Sequence, residues 1–112
     1  MIRKILAAGI LVAAMTAPAL ADPIEGNWKT KSGETAAISA CGGSFCVKLR
    51  TGNHAGKQIG KMKAKGGKYS GTITDPANDK EYSGSATLSG STLKMRGCVL
   101  GVLCRSETWS KL

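Results

Sequence analysis

Four cysteines stand in two close pairs, Cys41 with Cys46 and Cys98 with Cys104. Thiols so placed can form disulfides, bind a metal or exchange electrons. A four-thiol zinc site is one reading, but the separations sit at or beyond the wide end of the usual ligand spacing. A redox pair would need a Cys-x-x-Cys type of arrangement with a lowered thiol pKa, which the sequence lacks. Cys41 and Cys46 bracket four residues including two glycines, so in a hairpin they can lie opposite each other at the separation a disulfide requires. Cys98 and Cys104 bracket five. Each closure would constrain the unfolded chain by roughly 2 kcal/mol. Four cysteines allow three connectivities, and the two local pairs are the expected ones.

Other reactive side chains are sparse. His54 is the single histidine, set in the loop Gly52-Asn53-His54-Ala55-Gly56, which excludes a multi-histidine metal site and leaves most triads without their base. Asp75, Asp79 and Glu81 lie close enough in sequence to imitate an acid/base pair, yet turn chemistry accounts for Asp75 and Asp79. Nucleophile elbow, phosphate loop and dinucleotide fingerprint are all missing. The expectation is a protein without catalytic residues, metal or cofactor.

Two surface features could bind. Lys57, Lys61, Lys63, Lys65 and Lys68 crowd one region, and Lys61, Lys63 and Lys65 alternate with Met62 and Ala64 as on a strand with one wet face. Such a face is either simply solvated or a contact for anionic lipid headgroups, lipopolysaccharide or acidic glycans. Nucleic acid is not expected, because no aromatic residue is interleaved in the run. The loop Val99-Leu100-Gly101-Val102-Leu103 is apolar where loops are normally polar. It is expected to fold inward as a plug; otherwise Val99, Leu100, Val102 and Leu103 form an exposed patch for a membrane, ligand or partner.

The elements that must position these residues begin after an export signal. Arg3 and Lys4, the apolar run Ile5 to Met15, and Ala19-Leu20-Ala21 have the pattern of a cleaved leader, with cleavage expected after Ala21. The apolar run is short of the ~20 residues a spanning helix needs. Residues 22–112 therefore form the expected single domain, periplasmic or secreted, with no transmembrane span. Loss of the leader's two basic residues takes the formal charge from +9 to +7. A domain this small has a slender core, so disulfides matter, and an oxidising compartment would permit them.

Gly and Ser are frequent and apolar residues recur at intervals of two, which predicts an all-β chain. Strands are expected at 26–30, 35–40, 45–50, 58–63, 68–74, 80–88, 92–98 and 106–111. Short turn signals such as Gly66-Gly67, Asp75-Pro76 and Ser89-Gly90-Ser91 separate them and imply an antiparallel meander of about eight strands. A meander buries its apolar face by closing into a barrel or folding into a sandwich, and a small barrel is the expected architecture. Phe45, Val47 and Leu49 should point inward, as should Tyr69, Gly71 and Ile73, then Tyr82, Gly84, Ala86 and Leu88, and lastly Leu93, Met95 and Gly97. The three glycines could permit curvature or leave space in the middle.

Five stretches in order carry a resemblance: Asp22-Pro23-Ile24-Glu25-Gly26-Asn27-Trp28, Cys41-Gly42-Gly43-Ser44-Phe45-Cys46, Asp75-Pro76 with Lys80-Glu81-Tyr82-Ser83-Gly84, Leu93-Lys94-Met95-Arg96-Gly97-Cys98, and Glu107-Thr108-Trp109. Together they resemble the bacterial exported family called domain of unknown function 2147, across essentially all of residues 22–112. The resemblance implies a small calycin-like β-barrel with no established activity. Two departures stand out. Val47 and Leu49-Arg50 replace the family's usual glycine and nearby aromatic, and Asp79 occupies a turn position usually held by glycine. Aspartate tolerates a left-handed backbone, so that hairpin is expected to persist.

Gly26-Asn27-Trp28 is also similar to the Gly-x-Trp that opens lipocalin barrels, where a basic residue of the last strand packs over the indole. Closure would bring Trp28 and Trp109 to neighbouring strands, with Arg105 or Lys111 as the stacking cation. Trp28, Tyr69, Tyr82 and Trp109 are thus expected to pack a barrel end or contact a ligand. The functional expectation is a barrel that binds a small apolar ligand or an anionic envelope component. The competing one is a solid-core protein docking through Val99 to Leu103, and the weakest is an enzyme acting on cell-wall material.

Overall fold

A computed structural model describes residues 22–112; the leader and its cleavage site lie outside the described residues. Eight strands follow in sequence: β1 (Gly26–Lys29), β2 (Thr35–Cys41), β3 (Ser44–Leu49), β4 (Gln58–Lys65), β5 (Lys68–Thr74), β6 (Glu81–Ser89), β7 (Thr92–Val99) and β8 (Leu103–Lys111). Each pairs antiparallel with the next and β8 returns to β1, closing the barrel. The sandwich is thereby excluded. Every expected strand is present, but β8 begins at Leu103 and not at Ser106, so the last hairpin is longer than its sequence suggested.

Alternation of strand direction sorts the connections into two ends. One end holds Asp22–Glu25, the Gly42-Gly43, Gly66-Gly67 and Gly90 turns, and Leu112. The other holds the 30–34, 50–57, 75–80 and 100–102 connections. We call them the closed and open ends.

At the closed end Trp28 is fully buried, its Nε1 donating to the Ile24 carbonyl at 2.9 Å, with Ile24 itself fully buried. Lys111 lies over the indole at 4.7 Å and donates to the Glu25 carbonyl at 2.6 Å. Lys111, not Arg105, is therefore the stacking cation, and its ammonium ties the last strand to the chain entering the first. Phe45 meets Tyr69 edge-on at 5.7 Å between ring centroids, and the Tyr69 hydroxyl donates to Asp22 Oδ1 at 2.5 Å. The core runs on through Ile38, Val47, Met62, Leu93 and Met95, all facing inward as alternation predicts.

Burial, then the hydrogen bond to Asp22 and its charge, pushes the Tyr69 phenol up from 10.0 to about 12. Its neutral form is favoured by folding, so the Tyr69 contribution is fully present below the unfolded value and is lost as pH rises toward the folded one. Unfolding followed by circular dichroism is expected to show stability declining between pH 10 and about 12, and Tyr69→Phe should flatten that decline.

Gly71 faces Gly84, and Gly84 faces Gly97, in a row across β5, β6 and β7. The three do different work. A Cβ on Gly71 would collide with the Lys61 carbonyl oxygen, and one on Gly84 would lie 2.5 Å from Ile73 Cγ1. Both positions are close approaches that curve the wall. At Gly97 a Cβ would have nothing nearer than 3.7 Å, ordinary van der Waals contact with Tyr82 and Ile73, so this position has room for a side chain where the other two do not.

Candidate functional site

That space belongs to a cavity of about 950 Å³ in the open half of the barrel. Its apolar wall comes from Leu49, Ile59, Ile73, Tyr82, Met95 and Trp109. Two local irregularities create it. Strand β1 is four residues long and its register meets β8 only at Trp28 with Lys111 and Lys29 with Ser110. The upper part of β8 is thus paired with β7 alone, and the barrel wall parts between that edge and the 30–34 turn. The second irregularity is a bulge: Val47 faces Gly60 while Lys48 faces Gln58, so Ile59 is an extra residue on β4 and is buried on the cavity wall.

Counting back by twos from buried Trp109 places Glu107, Arg105 and Leu103 on the inner face of β8, opposite Met95, Gly97 and Val99. All three line the cavity. Glu107 is half-buried and its Oε1 accepts the Trp109 Nε1 hydrogen at 2.5 Å, which fixes the indole against the wall. The site therefore has an aliphatic and aromatic interior with Glu107 and Arg105 near its mouth. It can desolvate a small apolar body, while Lys31, Glu34, Asp75, Arg96, Arg105 and Glu107 offer charged groups of both signs to a polar end. His54 is not among the lining residues, and no cluster of three metal-ligating side chains occurs among the described residues.

The four aromatic residues singled out from sequence divide between the ends. Trp28 and Tyr69 pack the closed end, whereas Tyr82 and Trp109 line the cavity. The cavity-lining positions of Arg105, Glu107 and Ile59 escaped the sequence reading. Arg105 lay outside the expected 106–111 strand, Glu107 lay inside it but alternation was not carried back from Trp109, and Ile59 was hidden by a bulge that breaks the two-residue period. Continuing the alternation upstream of Trp109 would have found the charged pair.

Both local disulfides are present. Cys98 lies directly opposite Cys104, with Cα atoms 4.0 Å apart, at the open end. Cys41 and Cys46 are diagonal neighbours 5.8 Å apart, since Cys41 faces Ser44 and Cys46 faces Ser39. The pairs stand at opposite ends of the barrel, so the four-thiol zinc arrangement does not form.

The inward plug expected of the 99–103 loop is incorrect. Leu100, Val102 and Leu103 are 89%, 76% and 70% exposed, and only Val99 is half-buried. The reason is geometric: the Cys98 and Cys104 rung continues the hairpin straight, Val99 pairs with Leu103, and three residues are too few to fold back into the lumen.

The five-lysine cluster also separates. Lys57 belongs to the open end, where it bonds Asp79 Oδ1 at 2.8 Å and the Pro76 carbonyl at 2.9 Å. Lys61, Lys63, Lys65 and Lys68 remain exposed on the outer wall of β4 and β5, with Lys65 directly opposite Lys68 across the Gly66-Gly67 turn. A shallow groove of about 230 Å³ runs beside Lys61 and Lys63. Asp79 adopts φ 59°, the left-handed backbone anticipated for the glycine place.

A family model described as an uncharacterized protein conserved in bacteria, DUF2147, matches residues 48–111. The chain belongs to this family. The matched stretch holds all of β4–β8, and so Tyr82, Met95, Gly97, Glu107 and Trp109 of the DUF2147 cavity. Neither a curated protein nor a solved structure matches the chain. Among the described residues no helix is long and apolar enough to cross a membrane.

Proposed function

We propose that this DUF2147 protein is an exported, non-catalytic barrel that holds a small, mainly apolar ligand in its open half. The observation that carries this reading is the cavity itself: about 950 Å³, within the usual range for ligand sites, open on one side, with an apolar wall of Leu49, Ile59, Ile73, Tyr82, Met95 and Trp109 and polar groups such as Thr30, Glu34, Asp75 and Arg105 beside it. Gly97 supports it, because the room at that position is not demanded by backbone packing. The two disulfides agree with an oxidising compartment.

Trp109 reports on the site and Trp28 does not. In a Trp28→Phe background, titration with a fluorescent acyl-chain probe is expected to quench or shift Trp109 emission with saturation. Gly97→Leu should abolish the response by filling the cavity. A response that survives Gly97→Leu would place the probe elsewhere and defeat the reading.

A second reading, contact with an anionic envelope component, is supported by Lys65 standing directly opposite Lys68. Like charges so placed repel, and an anion lying along the Lys61, Lys63, Lys65 and Lys68 wall would relieve them. The wall and the cavity are on different faces, so the two readings are compatible.

A further inference from the structure

The hairpin from Arg96 to Ser106 carries a feature that neither the fold nor the cavity requires. Leu100, at its tip, is 89% exposed and has φ +56°. A bulky side chain is unfavourable in that left-handed backbone, where glycine or asparagine is the ordinary choice. Solvent exposure gives leucine nothing in return. Val102 and Leu103 beside it are also bare. An apolar residue at a site that disfavours it on both counts points to a contact outside the chain.

The chemistry of that contact can be read from the rungs below. Cys98 and Cys104 brace the base of the tip, which stiffens it before binding. One rung further back Arg105 faces Gly97, and one beyond that Arg96 faces Ser106. By alternation Arg105 lies on the inner face of the hairpin and Arg96 on the outer, both exposed, and no acidic residue occurs between 96 and 106. The result is an aliphatic point with a cationic collar on both sides. From the disulfide rung to the tip is two to three residues, or about 7–10 Å at strand rise. That length matches the ~5–10 Å to which interfacial elements sink into a bilayer. A protein partner fits less well, since a stable interface needs about 800 Å² on each side and this point offers a small fraction of it.

We propose that the Val99–Leu103 tip is a membrane-docking wedge that enters the surface of an anionic bilayer, with Arg96 and Arg105 at the headgroups. Docking sets the open mouth of the barrel, which Val99 and Leu103 help to line, against the lipid. This inference rests on the hairpin and is independent of what the cavity holds.

The test is flotation of the protein starting at Asp22 with phosphatidylcholine vesicles, with and without a third of phosphatidylglycerol. The wild type is expected to float with the anionic vesicles. Leu100→Asn combined with Leu103→Ser should weaken binding about tenfold or more, since two aliphatic side chains leave the lipid. Leu100→Asn alone suits the left-handed backbone, so it should keep or raise the melting temperature while still reducing flotation. That decides the matter even if the double variant folds poorly. A Lys63→Ser, Lys65→Ser, Lys68→Ser variant should lose less flotation than the double tip variant at physiological salt, since those lysines stand on another face. Failure of the wild type to float overturns the proposal. Equal flotation of wild type and tip variants, or loss confined to the lysine variant, also overturns it and assigns binding to another surface. So does concentration-dependent self-association that Leu100→Asn abolishes without vesicles present, since the tip would then meet a second copy of the chain.

Discussion

Trp28→Ala is expected to lower the unfolding free energy by about 3–5 kcal/mol, the usual cost of emptying a large buried aromatic site. Chemical denaturation followed by circular dichroism would measure it. The effect is large because three supports fail together: the indole fills the closed end, its N–H satisfies the Ile24 carbonyl, and its face carries Lys111. Lys111→Met separates these contributions. It keeps the stem and the cover over the indole but removes the ammonium, so its cost should be about 1 kcal/mol. Small domains commonly have about 5–15 kcal/mol of stability in all, which makes the tryptophan variant marginal at best. A loss near 1 kcal/mol for Trp28→Ala would mean that the closed end is not the base of the barrel.

Gly71→Val should be comparably damaging. Its first side-chain carbon would meet the Lys61 carbonyl oxygen and the backbone of Met62, neither of which is a flexible chain end able to swing away. Relief requires β4 and β5 to separate at the centre of their ladder, where Met62 faces Gly71. Overpacking of this kind commonly costs 1–3 kcal/mol, and here, against backbone, about 3 kcal/mol or more is expected, enough to reduce soluble yield. Gly97→Ala is the control from the same row. With 3.7 Å to its nearest neighbour, the added methyl should change stability by less than about 1 kcal/mol. Thermal melts of the two variants side by side check the contrast.

Much of the fold was legible because its periods are simple. Two-residue alternation in Leu93, Met95 and Gly97, or in Lys61, Met62 and Lys63, names a strand and both of its faces at once. The Gly-x-Trp opening, with Arg105 or Lys111 as its stacking cation, signalled the sealed end, and Lys111 is the one that stacks. Legibility failed where the period broke or where charge masked it. Ile59 entered the cavity through a bulge that alternation does not encode. Arg105 and Glu107 look like surface residues by type, yet strand parity turns them inward beside Trp109. The tip was misjudged for another reason: an apolar loop in a globular chain is usually buried, and only the direct Cys98 to Cys104 rung shows that the hairpin cannot fold back. Lys57 was grouped by sequence with lysines that β4 carries toward the other end. Sequence proximity places residues on one strand wall only while the strand lasts.

The central claim is that the open half of the barrel is a binding site and not an unfilled end. Its most direct test is native mass spectrometry of the protein recovered under mild conditions from the periplasm of an expressing bacterium, compared with Gly97→Leu prepared the same way. The account predicts an added mass of a small organic molecule on the wild type, released on denaturation and missing from Gly97→Leu. A wild-type protein that carries no added mass, and gains none when incubated with acyl-chain amphiphiles, would contradict it.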